Sequence, residues 1–352
     1  MKKIMGIIGA RPQFIKHAPV ELALKDSFDL KTIHTGQHYD ENMSNIFFEQ
    51  LKMRRPDYIF ALGGGSHAEQ TGKMLIEIER VLINEKPDAV LVYGDTNSTL
   101  AGALAAIKIH IPVIHIEAGL RSYNKTMPEE INRVLTDSVS EFLFVPTNQG
   151  VINLEKEGIT KNVYQIGDVM FDALKLAENN VRTKKYDEPF CLVTLHRPYN
   201  TDKIERLTSI LGHLNRLKYK VVFTIHPRTS QILKNNNVDI SSFDNIKFIE
   251  PQSYFDLIGL QKQSQLVITD SGGVQKEAYM LKKKCITLRS ETEWVETLIN
   301  NWNILVFDDL NLLNEAVDVL PGTYLENVYG DGTAAKRISE ILLNNLESLC
   351  AE

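Results

Sequence analysis

The sequence predicts an α/β protein made of two doubly wound domains facing each other across a cleft. Three observations carry that expectation. Short apolar runs each end in glycine or polar residues and pass into segments with helical apolar spacing, which is the pattern of βα units. The pattern restarts after Asn162. The chain, at 352 residues, also exceeds the size at which a single core usually stops growing.

Lys3 to Ile8 reads as a buried strand that stops at Gly9, and ARPQFIKHAPVELALKDS follows with helical spacing at Phe14, Ile15, Val20 and Leu22. Strand, glycine turn and helix bring free helix-start amides to an anion. Arg11 and Lys16 on that turn suit a phosphate or carboxylate group. Leu30–His34 is a second strand, and its turn TGQHYDENM, with Gln37, His38 and Asp40, leads into a helix through Phe47–Leu51. Asp57–Leu62 is a third strand. The loop GGGSHAEQ that follows it is neither a G-x-G-x-x-G fingerprint nor a Walker A sequence, so its glycines fit a substrate-closing loop better than dinucleotide binding.

The stretch Leu91–Arg133 places Asp95 just past the apolar run Val90–Tyr93, Glu117 just past Val113–Ile116, and Glu129 and Glu130 at the start of the segment PEEINR. Residues just past parallel strand ends converge on the crevice where open α/β sheets bind ligands. Carboxylates gathered there are candidates for proton transfer. Phe142–Val145 then gives a strand, PTNQG its turn and Val151–Glu157 a helix.

Val163–Ile166, a helix around Met170–Ala177 and the polar stretch ENNVRTKKYDEP form the crossover to the second half. There the strands are Phe190–Leu195, Lys220–Ile225, Ile246–Ile249, Leu266–Thr269 and Cys285–Leu288, and a helix runs over Ile204–Leu217. After YGDG, the segment TAAKRISEILLNNLESL is an amphipathic helix. The domains are set at 1–168, carrying the carboxylates, 169–332, and 333–352 for the last helix.

Composition excludes several classes of function. Apolar content of 43% and charge of 24% are those of a globular protein with a sizeable core. A net charge of −6 argues against nucleic acid as the main partner. Cys191, Cys285 and Cys350 have neither disulfide nor zinc spacing and fit a reducing compartment. No run is apolar for long enough to span a membrane, and the first residues lack a signal-peptide pattern, so the expectation is a cytoplasmic protein. The nine histidines show no ligand spacing, so no metal is expected.

In the second half, Ser271, Gly272 and Gly273 of DSGG stand where a strand ends and a helix begins, a place suited to an anion. Glu277, one turn further on, is within reach of the hydroxyl pair of a nucleotide sugar. His196 and His226 follow strand ends in HR and HPR, beside Arg197 and Arg228, and favour contact with a diphosphate. A diphosphate grip on one domain and several carboxylates on the other describe a nucleotide-sugar enzyme.

Taken in order, GARPQFIK, TGQH, GDTNST, HIEAGLR, PEEINR, TLHR, TDSGGVQKEA, TEWVE and YGDG resemble the non-hydrolysing UDP-N-acetylglucosamine 2-epimerases over nearly the whole chain. The resemblance implies two Rossmann-like domains of the glycosyltransferase-B type, with the last helix packing back on the first domain, no external cofactor, and a homodimer serving surface-polysaccharide synthesis. It implies anti elimination of UDP to 2-acetamidoglucal and re-addition with inversion at C2. It assigns catalytic roles to Asp95, Glu117, Glu129 and His196, with His196 near the leaving diphosphate. Arg11, Lys16 and Arg133 match cations near the substrate, Ser271–Gly273 the phosphate turn, and Glu277 the ribose-binding glutamate. Gln37, Gln70 and Arg197 match residues through which some members are activated by substrate, but Asp40 and Glu69 replace the expected Gln and Arg.

RPQFIK, HRPYN and TEWVE depart from the commoner RPEAIK, HRREN and TERPE. These variants resemble the branch acting on more elaborate sugars, such as UDP-2,3-diacetamido-2,3-dideoxyglucuronic acid, as well as some plain epimerases. The rival readings are a glycosyltransferase-B type sugar transferase, a hydrolysing 2-epimerase and a non-catalytic nucleotide-sugar sensor.

Overall fold

The structure, a computed structural model, describes residues 1–37, 48, 51, 53–178, 181 and 185–349. His38, Asp40, Cys350, most of the expected helix through Phe47–Leu51 and part of the 178–189 crossover lie outside the described residues. The chain forms two compact units, Met1–Leu176 with Asn327–Glu352, and Ala177–Glu326.

The first unit is built on β1 (Lys3–Ile8), β2 (Asp29–His34), β3 (Tyr58–Ile59), β4 (Ala89–Tyr93), β5 (Val113–Ile116), β6 (Phe142–Val145) and β7 (Val163–Gln165). All pairings are parallel, in the order β3-β2-β1-β4-β5-β6-β7. Central strands covered on both faces must be apolar throughout, and every residue of AVLVY, VIHI and FLFV is buried. The strand order reverses between β1 and β4, so the turns after these two strands open side by side at the carboxyl edge.

The helix Asn97–Lys108 lies close over that junction because its inner face is alanine and glycine. A methyl at Gly102 would sit 2.6 Å from Ile7 Cδ1.

The second unit repeats the plan with β8 (Phe190–Thr194), β9 (Lys220–Thr224), β10 (Ile246–Ile249), β11 (Leu266–Thr269), β12 (Lys284–Thr287) and β13 (Asn303–Leu305). The order is β10-β9-β8-β11-β12-β13, again parallel, with the reversal between β8 and β11.

Two expectations change. The strand expected over Asp57–Leu62 pairs only at Tyr58 and Ile59, as an edge strand against β2. β13 was not legible in the sequence, since three residues carry no usable periodicity and only pairing with β12 makes them a strand.

The last helix, Ala334–Leu349, belongs to the first unit and packs beside Arg11–Leu24. It buries Ile338, Leu342 and Leu346, spaced four apart on one face. Its start is held by the Asp172 carboxylate, which accepts from Ala334 N at 3.2 Å and Ala335 N at 3.0 Å. The preceding YGDG turn lies against the turn after β7. Asp168 N donates to Tyr329 O at 3.0 Å, and Gly167 and Gly330, both at positive φ, come so close that a methyl on Gly330 would be 2.9 Å from Gly167 Cα. No helix among the described residues is long and apolar enough to cross a membrane.

Asp172 is pushed up to about 6, first by burial, with the two helix amides pulling down and Asp168 pushing up. A raised native pKa means that the folded state holds this proton more tightly than the unfolded chain does. The contribution of Asp172 to stability is therefore present below about pH 4 and is lost as pH rises towards about 6. Urea unfolding of wild type and Asp172→Asn between pH 4 and pH 6.5 should show the wild type losing on the order of 1 kcal/mol per pH unit relative to the variant.

Candidate active site

The turns after β1, β4 and β5 carry the acid/base candidates of the first unit. β4 exits through Gly94, whose φ of 62° is left-handed. A side chain there would be strained, and its Cβ would lie 3.2 Å from Glu117 Oε1 and 3.4 Å from Lys16 Nζ. Glycine thus lets the Asp95 turn approach the carboxylate and the ammonium.

Asp95 pairs with the Arg133 guanidinium. Arg133 stands on the helix Pro128–Val139 and also donates to Glu130 Oε2 at 3.1 Å. The neighbouring Asn132 fixes the turn by donating to Asp95 O at 2.9 Å. Burial pushes the Asp95 carboxyl up. Arg133 and Lys16 pull it down and the Glu117 charge pushes it up again, leaving it above the usual aspartate range.

Glu117, past the end of β5, is buried and pairs with Lys16 from the helix Arg11–Leu24. Its φ of 72° is uncommon for a residue with a side chain. Such strain concentrates at functional positions, where surrounding structure holds it in place.

The turn after β1 is tied to the turn after β4 by Gln13, which is fully buried. Gln13 Oε1 accepts from Gly9 N at 2.8 Å and Ala10 N at 3.0 Å, while Nε2 donates to Tyr93 O at 3.0 Å and faces the Thr96 and Thr99 hydroxyls. A carboxylate could make the first pair of bonds but has no hydrogen for the second. The Gln in RPQ is therefore a structural tie between adjacent strand ends, a role its sequence position did not disclose.

The two carboxylates of PEE separate in role. Glu130 is buried and accepts from Ser122 N at 2.9 Å, Ser122 Oγ at 3.0 Å and Tyr123 N at 2.8 Å, so it anchors a loop. Glu129, one residue earlier in the first helical turn, is half-buried, and among the described residues no hydrogen bond or ion pair engages it. Arg11 opens its helix and is likewise half-buried.

Gln37 and Gln70 meet the start of the helix Asn97–Lys108. Gln37 Oε1 accepts from Ser98 N at 3.0 Å and Ser98 Oγ at 2.7 Å. Gln70 Oε1 accepts from Asn97 Nδ2 at 2.8 Å. Asn97 Oδ1 in turn accepts from Asn132 at 3.2 Å, which links Gln70 to the Asp95 turn. Arg197 stands in the other unit.

In the second unit, Asp270 of DSGG is fully buried and faces the turn after β8 rather than solvent. It accepts from His196 N at 3.1 Å, Arg197 N at 3.0 Å and Asn200 Nδ2 at 3.2 Å, and its Oδ1 lies 3.2 Å from His196 Nδ1. The His196 side chain remains 44% exposed while a buried carboxylate orients its ring.

Ser271 caps the helix Gly272–Met280, its Oγ accepting from Val274 N at 3.5 Å. A methyl on Gly272 would lie 2.7 Å from Glu293 Oε1, whereas one on Gly273 would meet only Ser271 Oγ at 4.0 Å. A side chain at the first glycine would have to displace Glu293 of the TEWVE segment, whereas the second has open space where a side chain would stand. Lys276 lies 3.6 Å from the Trp294 ring centre, fixing that segment from below.

Glu277 is buried one turn on, with Oε2 accepting from Gln261 at 2.8 Å. His226 is exposed and caps the helix Pro227–Asn235, its Nδ1 accepting from Arg228 N at 3.2 Å. Among the described residues no group of three or more His, Cys, Asp or Glu side chains is placed to hold a metal ion.

The arrangement thus joins Asp95, Glu117, Lys16 and Arg133 at one sheet edge and His196, Asp270 and the Ser271–Gly273 helix start at the other. The sequence reading missed Gln13, Asn132 and the anchoring role of Asp270. Each acts by contact with a distant turn, and only Asp270 carried a signal, its place in DSGG.

The chain is 47% identical, over 97% of its length and 99% of the other, to a UDP-N-acetylglucosamine 2-epimerase homolog of Methanococcus maripaludis. It is 46% identical, with the same shares covered, to the UDP-2,3-diacetamido-2,3-dideoxy-D-glucuronate 2-epimerase of Pseudomonas aeruginosa. The crystal structure of the Methanocaldococcus jannaschii UDP-GlcNAc 2-epimerase, in complex with UDP-GlcNAc and UDP, superposes with a TM-score of 0.87 at 45% identity, covering 97% of this chain and 100% of that one. The fold is therefore of the glycosyltransferase-B type expected from the resemblance. The profile of the UDP-N-acetylglucosamine 2-epimerase family matches residues 21–343, and the chain belongs to that family.

Proposed function

We propose that the protein is a non-hydrolysing 2-epimerase that interconverts UDP-GlcNAc and UDP-ManNAc. The observation that carries this reading is the pair of carboxylates at adjacent strand ends, Asp95 with Arg133 and Glu117 with Lys16, in unlike surroundings. Pairs of titratable groups whose environments differ suit separate acid and base duties.

Carbon 2 of the sugar lies beside no carbonyl, so its proton leaves only as the C1–O bond breaks, and a positioned base is required. The C–H electron pair becomes the C1=C2 bond, and the C1–O pair departs with UDP. Re-addition of UDP with a proton delivered to the opposite face of C2 gives the epimer. Asp95, Glu117 and Glu129 are the acid/base groups of this scheme, and Glu129 is the one of the three without an ion pair among the described residues. Arg11, Lys16 and Arg133 offset negative charge near the sugar.

The helix start at Ser271–Gly273 holds the diphosphate, where charge develops on departure, with His196 and His226 as further contacts. Glu277 holds the ribose. Gln37, Gln70 and Arg197 match the residues that take substrate as an activator in some family members, but with Asp40 and Glu69 in place of the expected Gln and Arg the reading does not include that regulation. No external cofactor takes part in the scheme. The reading extends to a homodimeric cytoplasmic enzyme that serves surface-polysaccharide synthesis. The free buried thiols Cys191 and Cys285 support the reducing compartment, and the resemblance supports the rest.

A second reading, action on UDP-2,3-diacetamido-2,3-dideoxyglucuronate, is favoured by the departures at Gln13, Phe14, Pro198, Tyr199, Trp294 and Val295. The relative carrying that activity in its name is 46% identical, on a par with the relatives named for UDP-GlcNAc.

Incubation with each UDP-sugar in heavy water, followed by NMR, should show deuterium entering C2 with UDP still attached at equilibrium. Absence of exchange with every UDP-2-acetamido sugar rejects the epimerase, and release of free sugar indicates a hydrolysing enzyme. Asp95→Asn should abolish exchange, a loss of at least about 100-fold by the usual size of acid/base effects, while UDP still binds with nearly unchanged affinity in calorimetry. A sensor would tolerate the substitution.

The Lys16–Glu117 pair is buried on both sides, so removing one partner takes the counter-charge from a buried ion pair. Lys16→Met and Glu117→Gln should each destabilise the protein by about 3 kcal/mol in urea unfolding. The double variant should lose clearly less than the sum.

A further inference from the structure

His115 lies on β5 with its ring fully buried, one strand away from Asp95. Both ring nitrogens face acceptors. Nε2 is 2.8 Å from the carbonyl oxygen of Gly94, and Nδ1 is 2.7 Å from Asp137 Oδ1. A peptide carbonyl only accepts, so Nε2 carries a hydrogen.

The state of Nδ1 follows from Asp137. Its other oxygen accepts from Gly119 N at 3.1 Å and from Arg121 Nη1 at 2.7 Å. Burial alone would push the Asp137 carboxyl up, but the charges and hydrogen bonds of His115 and Arg121 outweigh it and hold the group below its usual range. Asp137 is placed to accept from Nδ1 as well as from Gly119 and Arg121. A hydrogen on each ring nitrogen is the arrangement that serves both facing acceptors, and it makes the ring an imidazolium. Its charge is balanced along a chain that runs from His115 through Asp137 to Arg121 and ends at Glu157, which Arg121 grips at 2.7 and 2.6 Å.

The Gly94 carbonyl belongs to the peptide that joins Gly94 to Asp95, and Gly94 has the positive φ that gives this peptide its freedom. Gln13 already holds the carbonyl before it, that of Tyr93, and Asn132 holds the one after it, that of Asp95. His115 supplies the middle contact of three in succession. We propose that His115, kept doubly protonated by Asp137, is a positioning residue that sets the plane of the Gly94–Asp95 peptide and so aims the Asp95 carboxylate at the sugar.

The proposal rests on the epimerase reading for its catalytic consequence, but the protonation state is tested without activity. In ¹⁵N NMR of the wild-type protein at pH 7.5, both His115 ring nitrogens should carry directly bonded hydrogen. A ring nitrogen without one overturns the proposal, whether or not the protein turns over UDP-sugars.

For the consequence, the amide of Asn replaces Nδ1 and that of Gln replaces Nε2. His115→Asn keeps the donor towards Asp137 and loses the one towards Gly94. Its kcat for C2 exchange should fall about 100-fold, the size expected of a misplaced reacting group, with KM within about threefold. His115→Gln restores a donor towards Gly94 and should recover most of that loss. Equal losses in both variants, or normal kcat in His115→Asn, would mean that the ring only fills the core. Should either variant fail to fold, the wild-type ring spectrum still decides the charge state.

Discussion

The constraint on which the first unit depends is that charge buried at a sheet edge must be paired. Three strand ends lie side by side there, and each brings ionisable groups out of water: Lys16 with Glu117, Asp95 with Arg133 and Glu130, His115 with Asp137 and Arg121. An isolated buried charge is too costly to persist, so these groups are held in pairs, most of them between different elements. The same pairing fixes geometry. Asp95 is held by the Arg133 guanidinium at its carboxylate and by Asn132 at its backbone carbonyl, which limits its freedom to wander.

The second unit meets a different need with the same topology. Its carboxyl edge between β8 and β11 presents a helix start at two glycines, the second half-buried with open space where a side chain would stand, suited to holding an anion. Asp270 stands beneath it and ties the β8 turn to the β11 turn, so His196 and the Ser271 helix start are held as one assembly. The TEWVE segment, through its buried Trp294, packs against this helix start, since Glu293 and Trp294 lie where a side chain at position 272 would stand.

The departures from the common family pattern take on physical meaning here. Gln13 replaces a glutamate of the usual motif and makes bonds that need amide hydrogens, to Tyr93 O and to two threonines. Trp294 covers the buried Lys276. Both substitutions alter the support of the site from behind, so they bear on how firmly it is held as much as on which sugar it takes. Gln70, by contrast, reaches the Asp95 turn through Asn97 and Asn132 by a chain of side-chain amides, an unbroken physical path from an outer helix to the reacting edge.

Much was legible in the sequence alone. Period-two and continuous apolar runs set strands, glycines after them set turns, and carboxylates after those turns announced chemistry at the sheet edges. Asp95, Glu117 and the Ser271 helix start could be named because strand-end position is a local property. The sequence could not show which carboxylates are paired and which are not. Glu129 and Glu130 are adjacent and chemically alike, yet Glu130 anchors a loop and Glu129 makes no side-chain hydrogen bond or ion pair among the described residues, a difference created by where Ser122 and Tyr123 come to rest. Nor could it show that His115 bears two protons or that Gln13 joins two strand ends. Those facts belong to tertiary structure because protonation and hydrogen bonding depend on neighbours far apart in the chain. Only folding brings Gly94 within 2.8 Å of His115 and Asp137 within 2.7 Å of it.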